Sequence, residues 1–518
     1  MQRPDQPSRR RSVVAAVTAT AVALAVGELV AGLARAMRSP VEAVADAVIE
    51  DSPASVTKFG IETFGKNDKL ALVIGILVTL AIVGVIVGLL ARRRRWVVPA
   101  AFAVFGAVGV SASLRGEPLV AGVPALFAAG AGIGAALLLF RLAETETDGS
   151  ATDTQDDDRS SALLDRRGFV LGSAAFVAAA GAAAAGGRAL RSRFSAAKSR
   201  AALMLPSARQ PLAAPPAAAS FDVNGLAPLY TPNDNFYRID TALTVPQVPA
   251  EDWTLRVKGM VDREFEVTFD EVLDLGLVEA DITLTCVSNP VGGELVGNAR
   301  WLGVPLRVVL DEAGVDPDAD QIVGRSVDGY TCGFPVEAAY DRDALIAVGM
   351  NGEPLPLQHG FPARLITPGL YGYISATKWL EEIELTRFDR FQQYWVPRGY
   401  AERAPVKQMS RIDVPRSGNI IEPGPTVIAG VAWAQTRGIS KVEVQIDDDD
   451  FVEAELAEAL NDDTWRQWRL DWDATEGNHR LTVRSTDGDG RVQTDERAEL
   501  LPDGASGWQS RLVTVRAA

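Results

Sequence analysis

Asp281-Ile282-Thr283-Leu284-Thr285-Cys286-Val287-Ser288-Asn289-Pro290-Val291-Gly292-Gly293 is a strand-like run that delivers a thiol into a turn rich in Gly and Pro. Isoleucine, leucine and two threonines mark extended chain up to Thr285, and Pro290, Gly292 and Gly293 break it. A thiol leaving a strand at such a turn can meet a ligand, because the turn gives backbone access. On the residues alone two other readings stand beside it: a buried free cysteine, or a Cys286–Cys332 disulfide, which an exported domain allows.

Cys286 and Cys332 are the only cysteines among 518 residues, and His359 and His479 the only histidines. This excludes disulfide scaffolds, multi-cysteine zinc sites, Cys-ligated iron–sulfur clusters and C-x-x-C-H haem attachment, and no flavin site is recognisable. Lys+Arg 51 against Asp+Glu 67 leaves a formal charge of -16, the wrong sign for a nucleic-acid partner. At roughly 100 to 200 residues per domain the length allows about three units. The near-neutral mean hydropathy averages two unlike halves.

The first half, 1–187, reads as a membrane domain. Stretches 13–33, 70–91, 97–112, 119–140 and 168–187 are apolar and almost free of charge, which predicts an α-helical transmembrane bundle of about five helices. The third is shorter than the roughly 20 residues a crossing needs. Placing Arg9 to Arg11, Arg92 to Arg95, Arg141, Arg166 and Arg167 in the cytoplasm puts everything after 187 outside. Arg188, Arg191, Arg193, Lys198 and Arg200 run against that assignment at the last crossing. Asp165-Arg166-Arg167-Gly168-Phe169-Val170-Leu171 resembles a twin-arginine export signal, with a positive-inside flank as the plainer alternative. Neither histidine falls in a span, which excludes a bis-histidine haem there, and the Gly and Ala content fits anchoring or close helix packing. The acidic stretch 144–160 reads as a disordered loop, and the Pro- and Ala-rich 205–219, within 188–220, as a linker.

The middle unit, 221–400, alternates short strand-like runs such as 253–257 with helical ones such as 269–275 and 305–313, which predicts a mixed α+β domain. Six ordered segments recur through it. They are Thr283 to Asn289 with Gly292-Gly293, Trp301-Leu302-Gly303-Val304-Pro305-Leu306, Asp328-Gly329-Tyr330-Thr331, Met350-Asn351-Gly352-Glu353-Pro354-Leu355-Pro356, and His359-Gly360-Phe361-Pro362-Ala363-Arg364. In this order they resemble the sulfite oxidase family of molybdenum-cofactor oxidoreductases, and the resemblance covers essentially 221–518.

The resemblance implies a molybdopterin-binding domain of that type, with Cys286 as the thiolate ligand to molybdenum; soft sulfur suits such a metal. It implies that His359, Arg364 and Ser375, Ala376, Thr377 and Lys378 bind the pterin and its phosphate dianion, together with Asn235, Tyr237, Arg238 and Thr331. Two departures bear on substrate. The arginine that helps hold sulfite in this family falls at Val291, and its active-site tyrosine at Val348, so the cofactor carries over and the sulfite specificity does not. Arg238 remains as a positive charge near the metal, and is counted with Cys286 as catalytic.

Residues 408–518 contain short alternating runs at 426–433, 441–446, 466–472, 480–484 and 511–515, which predicts an all-β immunoglobulin-like sandwich without its disulfide. It resembles the family's dimerisation domain, which implies a homodimer. Asp447 to Asp450 lack the spacing of a calcium loop and read as a solvated hairpin turn, and His479 as structural. The whole chain is thus expected to be a multi-pass enzyme of the cell membrane, its catalytic face outside the cytoplasm. It would transfer an oxygen atom to or from a small-molecule substrate and exchange electrons with a separate partner. The rivals are a true sulfite oxidase, a sulfoxide or N-oxide reductase, and a catalytically silent anchored binding module.

Overall fold

The computed structural model describes residues 8–53, 56, 59–60, 63–64, 68–115, 118–144 and 158–517, with 158–167 described by backbone alone. The acidic stretch read at 144–160 lies, apart from its ends, outside the described residues, as do the side chains of Arg166 and Arg167. The chain forms two compact units, Met1–Ser195 and Ala196–Ala518.

The first unit is helical: α1 (Arg9–Ala31), α2 (Pro40–Asp51), α3 (Asp68–Ala91), α4 (Val97–Ser113), α5 (Val123–Glu144) and α6 (Asp158–Ser192). Helices α1, α3, α5 and α6 are long and apolar enough to cross a membrane, and α4 is a shorter apolar helix of 17 residues. That leaves four such helices where five apolar stretches stood in the sequence. Helix α2 was not expected, because four acidic residues interrupt its apolar pattern; Ser39 caps it, accepting from Glu42 N, and Pro40 opens it. Glycines bring the helices close. A Cβ on Gly88 of α3 would stand 2.9 Å from the Val13 Cα of α1, and one on Gly187 of α6 would stand 2.7 Å from the Glu28 carbonyl carbon. Along α3, Leu70, Ile74, Val78, Ile82, Ile86 and Leu90 are exposed.

The second unit begins with a sheet of order β2 (Phe265–Thr268), β1 (Thr254–Gly259), β10 (Leu380–Thr386), β5 (Gln321–Ser326), β6 (Thr331–Pro335); only the β1–β10 pair is parallel. A second sheet runs β3 (Val278–Thr285), β4 (Val296–Pro305), β7 (Leu345–Met350), β8 (Glu353–Pro354), with β9 (Arg364–Ile366) also on β7. Its central strands read as near-continuous hydrophobic runs because both faces are covered, and Trp301, Phe334 and Phe361 fill the core between them. Asp281 and Arg300, opposite each other across β3 and β4, lock that register with a two-pronged pair at 2.9 and 2.8 Å. The stretch read as a linker is bound along this unit: Arg209 N donates to Leu277 O, Leu212 N to Glu279 Oε2, and Arg300 Nη2 to Ala213 O.

Two further sheets follow. One runs β11 (Met409–Val414), β13 (Gly424–Trp433), β17 (Arg466–Ala474), β16 (Glu455–Leu456); the other runs β12 (Ile420–Ile421), β19 (Gln509–Val515), β18 (Gly477–Asp487), β14 (Ile439–Ile446), β15 (Val452–Glu453). Ile412, Ile428 and Trp468 of the first and Val442, Val444, Leu481 and Val483 of the second share one core. The aspartate run is a turn between β14 and β15. Asp447 takes a positive φ, and its carboxylate accepts from Arg480 N and bonds to His479, whose ring packs edge-on against Trp472.

Candidate active site

Cys286 is the first residue of the connection between β3 and β4. Its N–H donates to Leu295 O at 3.0 Å, its carbonyl accepts from Asn289 N at 3.0 Å, and Asn289 Oδ1 accepts from Leu295 N at 2.8 Å. The loop is thereby closed, and Cys286 lines a cleft. Burial pushes the thiol up from its ordinary pKa, while hydrogen bonds from the Ser288 backbone and hydroxyl pull it down. Cys332 is a second free, buried thiol; it accepts from Thr377 Oγ1, so neither cysteine is in a disulfide.

Two cations and one neutral imidazole share this cleft. Arg364 is 4% exposed and stacks on Trp301. Its guanidinium donates only to carbonyls, to His359 O at 3.0 Å and Ala376 O at 3.4 Å, and among the described residues no carboxylate pairs with it. Burial lowers its pKa to about 10. Lys378 bonds to Ile239 O and pairs with Asp240. Burial, then the Arg364 charge, hold His359 at about 4, so the ring is neutral and its Nε2 donates to Asn233 O at 3.0 Å.

The motifs around these groups are scaffolding. Asn351, in a left-handed turn, holds the preceding loop through Thr231 O and Asn233 Oδ1, and so sets the carbonyl that fixes His359. Asn298 holds Leu229 O. Gly297 leaves room for Phe236, whose ring would lie 2.7 Å from any Cβ there, and Phe236 packs in turn on Tyr237, Trp301 and His359. Gly360, at φ +108, stands where a Cβ would lie 3.0 Å from Lys378 Cα, so only glycine lets the His359–Arg364 segment approach that closely. Leu365 N and Leu380 N then zip that segment to the 375–378 segment.

Of the residues expected from sequence, Cys286, Tyr237, His359, Arg364, Ala376 and Lys378 line the cleft. Five others do not line it. Arg238 turns to Asp240 and Asn235 is exposed. Thr331 Oγ1 receives Tyr394 N, and Ser375 Oγ donates to Tyr371 O. Thr377 Oγ1 donates to Gly324 O and the Cys332 sulfur. Val348 is fully buried in β7. Sequence reading missed the aromatic wall: Tyr330, Tyr373 and Trp395 line the cleft, and Tyr330, Tyr394, Trp395, Tyr400 and Tyr373 touch ring to ring at 5.2 to 5.6 Å. Burial and then the Cys286 charge hold Tyr237 well above its ordinary pKa.

Residues 242–395 match the family described as "Oxidoreductase molybdopterin binding domain". YuiH of Bacillus subtilis, an uncharacterized oxidoreductase, is 32% identical over 194 residues, 37% of this chain and 93% of that one. The chain belongs to the molybdopterin-binding oxidoreductases. Mitochondrial sulfite oxidases are similar too: that of Drosophila melanogaster is 30% identical over 255 residues, 45% of this chain and 43% of its own. The human one is 26% identical over 321 residues, 52% of this chain and 58% of its own. This oxidoreductase therefore spans about half the length of those enzymes. The sulfane dehydrogenase SoxCD of Paracoccus pantotrophus shares its fold, with a TM-score of 0.50 at 24% identity over 57% of this chain and 85% of that one.

The molybdenum–molybdopterin cofactor of this family fits the residues present. A buried guanidinium without a carboxylate is costly unless an anion completes it, and a phosphate dianion is such an anion. Cys286 supplies the soft donor in the same cleft. Exchanging Arg364→Met is expected to lower cofactor retention about tenfold or more, as loss of a charge-assisted contact does. Cys286→Ala is expected to abolish bound molybdenum; metal and pterin analysis of purified protein checks both. For His359 the folded pKa lies below the unfolded one, so its contribution to stability is present above pH 6.5 and lost as pH falls toward 4. In cofactor-free protein, the stability difference between wild type and His359→Gln should change by on the order of 3 kcal/mol across that window, measured by denaturant unfolding.

Proposed function

We propose that this chain is a membrane-anchored molybdenum-cofactor oxidoreductase whose catalytic unit lies outside the cytoplasm and exchanges an oxygen atom with a small neutral organic substrate. The observation that carries the reading is one cleft joining the Cys286 thiol to the uncompensated Arg364 guanidinium. When bound, the cofactor supplies two-electron oxygen-atom chemistry. Cys286 must release its proton to ligate, which burial opposes and the Ser288 hydrogen bonds favour. Arg364 and neutral His359 would hold the anionic end, with Lys378, paired to Asp240, beside them, and His359 keeps its proton on Nε2 through Asn233 O.

The substrate end follows from what surrounds the thiol. Tyr330, Tyr373 and Trp395 offer aromatic faces, and Lys378 is matched by Asp240. Val291, where the sulfite-holding arginine of the family falls, offers no cation for an inorganic dianion, and a sulfoxide or N-oxide suits this wall better than sulfite does. With two cysteines and two histidines in the chain, electrons are expected to pass to a separate partner.

The exposed apolar side chains of α3 support lipid contact, and the arginines at 9–11 and 92–95 support a cytoplasmic placement of those helix ends; with that placement the catalytic unit lies outside when the 17-residue α4 crosses as a fifth span. The C-terminal sandwich is read as immunoglobulin-like and as the surface through which two copies pair. With artificial electron donors and acceptors, turnover of dimethyl sulfoxide or trimethylamine N-oxide is expected to exceed sulfite oxidation; the reverse order would overturn the substrate reading. Exchanging Arg166 and Arg167 for Lys is expected to leave the catalytic unit inside the cell, checked by protease access to intact cells.

A further inference from the structure

We infer that the C-terminal sandwich is a positioning element for Cys286, acting as the missing neighbour of the strand that carries it. β3 is the edge of its sheet, paired only with β4, so its outer N–H and C=O groups have no strand to meet. The sandwich meets them one by one. Asn461 Nδ2 donates to Asp281 O at 2.9 Å, Thr283 N donates to Asp463 O at 3.0 Å, and Gln435 Nε2 donates to Thr283 O and to Thr285 Oγ1, both at 3.2 Å. Trp465 N donates to Thr283 Oγ1 at 2.7 Å. Cys286 is the next residue after this row.

The chain beyond the thiol is held from the same side. Gln509 of β19 is buried against Gly292, where a Cβ would stand 2.8 Å from Gln509 Cγ, and its Oε1 accepts from Ile412 N at 2.6 Å. Arg411 Nη1 donates to Gly293 O at 3.0 Å while its Nε is fixed by Asp413 at 2.6 Å. The thiol is thus suspended between two anchors, one ending a residue before it and one starting six residues after, and both belong to the sandwich. Groups that orient a ligand from outside tune a metal centre without touching the metal, and their loss typically costs 10- to 100-fold in affinity or activity. A unit expected to serve pairing alone is therefore built into the geometry of the ligand loop.

This inference rests on reading Cys286 as the molybdenum ligand. The test uses full-length holoenzyme carrying Gln435→Ala, Asn461→Ala or Gln509→Ala, with Leu512→Ser as the control, since Leu512 lies on β19 but is exposed. Molybdenum content, the Mo(V) electron paramagnetic resonance spectrum, kcat and KM are measured for each. The anchor variants are expected to keep their molybdenum, shift the spectrum and lose about tenfold in kcat at unchanged KM, with Leu512→Ser like wild type. Wild-type spectra and kcat in all three anchor variants, with only a lower melting temperature, would overturn the inference and leave the sandwich a stabilising neighbour. Absence of molybdenum from wild type would overturn the ligand reading itself, and the inference with it.

Discussion

A guanidinium buried without a carboxylate organises the catalytic unit. Arg364 is 4% exposed and bonded only to carbonyl oxygens, an arrangement that costs free energy until an anion arrives. Its positive field helps keep His359 neutral, and Trp301 gives it a face to stack on. The segment carrying it must therefore be rigid, which is what the zippering of Leu365 and Leu380 onto neighbouring carbonyls achieves. Family membership and this local electrostatic account point to the same cofactor.

How much of this was legible in the sequence depended on the range of the interaction. Cys286, His359 and Arg364 sit in contiguous motifs, each a tight turn or strand end whose chemistry is local. Ser375 and Thr377 belong to the same motifs, yet their hydroxyls serve Tyr371, Gly324 and Cys332. A motif marks where the backbone is constrained, not which side chain does the binding. The aromatic wall was missed although Tyr330 stands in a sequence motif, because its members come from three separate segments, near 330, 373 and 394–400, that only the fold brings together.

Fold class was legible by composition, while connectivity was not. The parallel pairing of β1 with β10 joins residues more than a hundred positions apart, and Glu382 becomes the shared partner of Arg256, Lys258 and Arg325 only once they are neighbours. The apolar stretch at 97–112 was already short for a crossing in the sequence, and its helix has 17 residues. Helix α2 was hidden by acidic residues, although Ser39, Pro40 and Glu42 spell a helix start.

The edge strand beneath Cys286 would leave an isolated catalytic domain prone to self-association. Severed from the residues after about 408, the catalytic domain would present β3 as an open border, ready to recruit a strand from any similar chain. Copies would stick to one another before they reached a cofactor. In this chain the border comes with its own cover, the sandwich that begins at β11.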